Sequence, residues 1–134
     1  MFNHVMVGSN DLEKSRAFYD ALLKPLGMVD TPYEGRLRYM GNGGLLVVVK
    51  PGDGNPATSG NGTNIGLRAS SREAVDAAYA GGMANGGTSD GAPGLRSTSA
   101  FGNYVAYIRD PDGNKFCLLW PNPEYAEGRA AKAG

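Results

Sequence analysis

The chain has one histidine, His4, and one cysteine, Cys117, and most of the chemistry open to it turns on these two side chains. Histidine ordinarily titrates near neutral pH, which makes His4 the candidate general base. Cys117 becomes a nucleophile only where a neighbouring histidine or cation lowers its pKa. A serine–histidine–aspartate triad would have to use His4, and a two-histidine metal site cannot form within one chain. A lone cysteine excludes an internal disulfide and a cysteine-pair zinc site. Each residue also has a plain structural reading: a strand histidine bonded to backbone, and a small buried hydrophobe. The 13 acids fall in expected helices, turns, strand ends and the tail. None stands mid-strand pointing into a cleft, where a carboxylate could remove a proton next to a carbonyl.

The rest of the composition narrows the class. A chain of 134 residues is one domain's worth. With 41% apolar and 19% charged residues it can build a packed core. Lysine plus arginine number 13 and balance 13 acids, so the basic footprint of a nucleic-acid binder is missing. No apolar run approaches the ~18 residues of a membrane span. The start, Met1-Phe2-Asn3-His4, lacks the charged and apolar stretches of a signal peptide, so the cytoplasm is the expected location. The 21 glycines are scattered without a period, which suits a turn-rich globular fold.

The elements that must position His4 and Cys117 come in two similar sets, offset by 60 residues. His4-Val5-Met6-Val7 matches Asn64-Ile65-Gly66-Leu67, Glu13 matches Glu73, Tyr19 matches Tyr79 and Gly27 matches Gly87. Phe2–Gly8 alternates as a strand, with His4 and Met6 on the face opposite Val5 and Val7. Asn10 and Glu13 have capping-box spacing for a helix running to about Lys24, which Pro25 and Gly27 stop. Strands follow at roughly 28–33, 36–41 and 45–50. The stretch 51–62 reads as a linker between modules of about 1–50 and 63–121.

The second set runs as strand 63–69, a helix capped by Ser70-Ser71, a short strand with an irregular loop over 88–102, and a hairpin of 103–109 and 115–120. Val75, Ala78, Tyr79 and Met83 are expected inward on that helix. Gly81 and Gly82 weaken its last turn by roughly 1 kcal/mol each relative to alanine. Asp110-Pro111-Asp112-Gly113-Asn114 is a strong turn. The tail is 122–134. Arg68 shares a strand face with Asn64 and could meet an anionic ligand, or be a solvated strand-end residue. Tyr39, Tyr104 and Tyr107 are strand aromatics of the kind that line apolar pockets. Trp120 shares the face of Phe116 and Leu118, opposite Cys117, and is expected under a helix.

Phe2-Asn3-His4-Val5, DLEKSRAFYDALLKPLG from Asp11 to Gly27, Asn64 to Ala69, and YVAYIRDPDGNKFC from Tyr104 to Cys117 together resemble the vicinal oxygen chelate superfamily. That superfamily includes glyoxalases, bleomycin-resistance proteins and extradiol dioxygenases. The stretch from Ser71-Arg72-Glu73 through Gly91-Ala92-Pro93-Gly94-Leu95-Arg96 is similar to a glyoxalase-like subgroup. The resemblance implies an α+β fold of two βαβββ modules forming a curved mixed sheet around a cleft. It puts His4, Asn64, Cys117 and approximately Val47 at the divalent-metal positions; with Arg68, Tyr39 and Tyr107 added from the strand reading, these are the residues expected around the cleft. This donor set departs from the family's. Asn64 offers a neutral amide oxygen, Val47 offers nothing, and the histidine–carboxylate face for iron is missing.

The expectation is a small-molecule-binding protein with a degenerate metal site and no required cofactor. The alternative is an active lyase, isomerase or dioxygenase with an atypical metal set or His4/Cys117 chemistry. The resemblance also implies a homodimer, in which a second subunit could complete the cleft.

Overall fold

The computed structural model describes residues 1–96 and 102–124. Two βαβββ modules are present. In the first, β1 is Val5–Gly8, α1 Leu12–Leu23, β2 Val29–Asp30, β3 Leu37–Gly41 and β4 Gly44–Val49. In the second, β5 is Ile65–Arg68, α2 Arg72–Ala84, β6 Thr88–Arg96, β7 Asn103–Arg109 and β8 Lys115–Trp120. The 60-residue repeat holds at the starts of β1 and β5 (65 − 5) and of α1 and α2 (72 − 12).

Each module makes its own four-stranded mixed sheet, in the orders β1-β4-β3-β2 and β5-β8-β7-β6. The first strand of each module runs parallel to the last, and the other pairs are antiparallel. β1 and β5 are therefore edge strands, and no ladder joins them.

Alternation decides which face of each sheet is buried. Leu46 and Val48 of β4, Leu37 and Tyr39 of β3, and Phe116 and Leu118 of β8 all enter one core. From α1 that core takes Phe18, Tyr19, Leu22 and Leu23, at the spacing of one helical face. Tyr19 meets Phe116 edge-on, with ring centroids 5.8 Å apart, so α1 of the first module packs directly on the second sheet. Trp120 packs against this core on the helix side, beneath the Arg72 guanidinium at 5.2 Å from its ring.

Several local expectations change. The N-cap of α1 is Asp11, not Asn10: its carboxylate accepts from the amides of Glu13 and Lys14 at 3.1 and 3.2 Å. Asn10 instead ties the modules together, its amide donating to Asp112 at 3.0 Å. Ser71 caps α2 as expected. On α2 the buried face is Val75, Ala78 and Gly82, while Met83 is 38% exposed. A Cβ at Gly82 would lie 2.6 Å from Ile108 Cδ1 and 3.1 Å from Phe18 Cε2. The glycine lets the helix sit where a larger residue would clash. Over 88–96 the chain is one nine-residue strand, β6, with register shifts between Ser89 and Gly91 and between Gly91 and Gly94. The remainder of the expected loop, 97–101, and the tail beyond 124 lie outside the described residues.

Candidate functional site

His4 stands just before β1 rather than within it, and Asn64 stands in the matching place before β5. His4 is exposed, and its Nδ1 lies 2.7 Å from Asn3 Oδ1. An amide oxygen only accepts, so Nδ1 carries the hydrogen, which leaves Nε2 of the neutral ring as an acceptor. His4 lines a cavity of about 270 Å³ between the modules, walled by the N-terminal segment, the β3–β4 hairpin and β5. Its apolar wall includes Phe2, Leu26, Met28, Leu46 and Leu67, and the polar residues at its wall are Asn3, His4, Asn42 and the exposed Arg68. Asn42 donates to the Arg68 carbonyl at 2.6 Å, linking the hairpin of one module to β5 of the other.

Cys117 belongs to a different place. It sits mid-β8 on the face opposite the helices, 6% exposed, in a small cluster with Val105, Tyr107 and Leu119. Burial pushes its thiol pKa up; a hydrogen bond from Tyr107 and the charges of Arg96 and Lys115 pull it down by less. The Tyr107 ring lies beneath two cations, Lys115 Nζ at 5.0 Å and Arg96 Cζ at 5.4 Å from its centroid. Arg96 is held by the carbonyls of Ala92 and Val105, each at 2.6 Å. Lys115 and Arg109 each pair with Asp90 at 3.2 Å. Burial, which outweighs the pull of these cations, keeps Cys117 a protonated, covered thiol and not a prepared nucleophile.

Four of the seven expected cleft residues divide into two pairs. His4 and Arg68 meet at the inter-module cavity. Cys117 and Tyr107 meet on the outer face of the second sheet. Val47 is 4% exposed and lies on the outer face of the first sheet, beside Met6 and Arg38 in register. Tyr39 requires a correction: it is 1% exposed in the main core and lines no cleft. Its hydroxyl donates to Asp20 at 2.7 Å, and burial followed by that carboxylate drives its pKa upward. The strand alternation that puts Leu37 on the helix side puts Tyr39 there too.

Two acids have settings that the sequence did not signal. Asp90 lies inside β6, not in a turn, because the strand is longer than its glycines suggested. Asp110 is only 2% exposed. It accepts from the Tyr19 hydroxyl, from the amides of Asp112 and Asn114 at 2.9 and 2.8 Å, and from Asn114 Nδ2 at 2.8 Å. Asn114 also donates to the Gly8 carbonyl at 3.1 Å, so the turn fastens β1 to the second module.

Among the described residues no group of three or more His, Cys, Asp and Glu side chains is placed to hold a metal ion. The donor chemistry agrees: an imidazole, an amide oxygen, an alkyl group and a covered thiol do not form the set that zinc or iron needs.

The profile of the Glyoxalase/Bleomycin resistance protein/Dioxygenase superfamily matches residues 1–118. The chain belongs to this superfamily. A glyoxalase/bleomycin resistance protein from Albidiferax ferrireducens T118 is 48% identical, with a TM-score of 0.83 over 91% of this chain and 99% of its own. A glyoxalase-related enzyme from Fulvimarina pelagi shares the fold at 20% identity and a TM-score of 0.72, covering 92% of this chain and 88% of that one. A superfamily enzyme from Burkholderia phytofirmans PsJN does so at 17% and 0.68, covering 90% and 98%. No curated protein matches the chain. No helix among the described residues is long and apolar enough to cross a membrane.

Proposed function

We propose that this superfamily member binds a small organic molecule in the cavity between its modules, and that the superfamily's metal positions have lapsed here. The observation that carries the reading is the cavity itself. It combines an apolar wall with a few convergent polar groups, His4 among them, at a junction between structural units, where ligand sites commonly form. The donor set His4, Asn64, Val47 and Cys117 supports the second half, since one strong nitrogen donor does not hold a divalent ion.

Elemental analysis tests this directly. Protein purified without chelator and offered zinc, iron, manganese and nickel is expected to retain less than about 0.1 ion per chain, far from the stoichiometric loading of a built site. Stoichiometric metal that a His4→Ala variant loses would overturn the lapsed-site reading in favour of the metal-dependent alternative.

A second copy of the chain completes the proposal. On the outer face of the first sheet Met6, Val29 and Met40 are 48%, 65% and 44% exposed, a patch suited to association. Sedimentation equilibrium at micromolar concentration is expected to show a dimer; monomer alone would remove it.

A further inference from the structure

We infer that the ligand of the inter-module cavity is a carboxylate on a compact apolar body, held by Arg68. This rests on the small-molecule reading above and adds the chemical class. Among the described residues the cavity wall contains no aspartate or glutamate, while it contains Arg68. A cationic head is therefore unmatched there, and an anionic one is matched.

The polar groups differ in what they have left to give. Asn3 spends its Oδ1 on His4, and Asn42 spends an amide hydrogen on the Arg68 carbonyl. The Arg68 guanidinium forms no ion pair, cation–π contact or side-chain hydrogen bond among the described residues. By contrast Arg96 is anchored on carbonyls and Arg109 is paired with Asp90. A planar guanidinium with all its donors unspent matches a carboxylate in two parallel hydrogen bonds. The remaining wall is apolar, and about 270 Å³ lies just below the usual ~300 Å³ lower end of ligand pockets, so the body of the molecule is small.

Gly66 supplies an independent handle on the same site. It lines the cavity in β5, and a Cβ built on it meets nothing within 4 Å. A larger side chain there occupies the space without forcing the strand.

Octanoate, octanol and octylamine, one apolar chain with three heads, are the probes. Each is titrated into labelled protein while backbone amide shifts are followed. Octanoate is expected to move Gly41–Leu46 and Ile65–Arg68, to bind about ten-fold or more tighter than either other head, and to lose that advantage in Arg68→Gln. Gly66→Leu, with its spectrum otherwise native, is expected to abolish the shifts. Equal binding of octanol and octanoate, or an unchanged octanoate affinity in Arg68→Gln, overturns the carboxylate assignment while leaving a small-molecule cavity standing. Shifts from none of the three probes, or shifts that survive Gly66→Leu, overturn the cavity as the site and with it the assignment.

Discussion

Cys117 and His4 show how much a single side chain reveals before its surroundings are known. Their types limited the chemistry, but only the structure separates them into two sites. The thiol lies beside Tyr107 under a lid of strand side chains, and burial outweighs the pull of Arg96 and Lys115. At about pH 7 its reaction with a water-soluble disulfide reagent is therefore expected to run at least ~100-fold slower in the folded chain than in urea. Comparable rates would mean an accessible thiolate and would return Cys117 to the list of nucleophiles. Strand parity set Arg68 beside Asn64, and the structure puts Arg68, but not Asn64, at the wall of the cavity. Tyr39 was misplaced because an aromatic hydroxyl reads as pocket polarity, although its partner, Asp20, sits at the end of a helix turn no local pattern connects to it. Asp110 looked like an ordinary turn residue, since turn propensity describes the backbone and says nothing of what closes over it.

At the scale of elements, the reading succeeded where a periodic pattern spans the segment. The hairpin at 103–109 and 115–120 has the observed bounds, and the helices begin and end within a residue or two of expectation. It failed where glycine carries a tertiary reason. Gly91 and Gly94 looked like loop residues, yet they pair with Tyr107 and Val105 across an irregular ladder. Gly82 looked like a weakness in α2, and by intrinsic propensity alanine would improve it by about 1 kcal/mol. The packing reverses that sign. With Ile108 and Phe18 against the missing side chain, Gly82→Ala is expected to destabilise the chain by about 1–3 kcal/mol, the usual cost of overfilling a core. Urea unfolding measures it, and a rise in stability would show that α2 can shift away from α1 without cost.

For the whole molecule, the duplicated plan was readable because it repeats in sequence, whereas the way the halves join was not. The join is a shared core plus a clasp: Tyr19 to Asp110, Asn114 to Gly8, and Asn10 to Asp112. Burial lifts the Asp110 carboxyl pKa above the usual range, against the pull of its four donors. The folded chain then holds that proton more tightly than the unfolded one, so this group's contribution falls as pH rises from the unfolded value through the folded one. The stability advantage of the wild type over Asp110→Asn is thus expected to be largest below about pH 4 and to shrink toward neutrality, in a single cooperative transition. An advantage that grows with pH, read from urea midpoints, would show the donors prevailing over desolvation.

The two sheets end at β1 and β5 without a ladder between them, and the cavity opens beside both strands. Part of the lining there is main chain, whose donors and acceptors every residue except proline provides alike. Mutation can recolour such a chamber, changing charge or bulk at its rim, but cannot strip its peptide groups. Under the small-molecule role proposed above, descendants of this gene could therefore trade one guest for another while the recess itself endured.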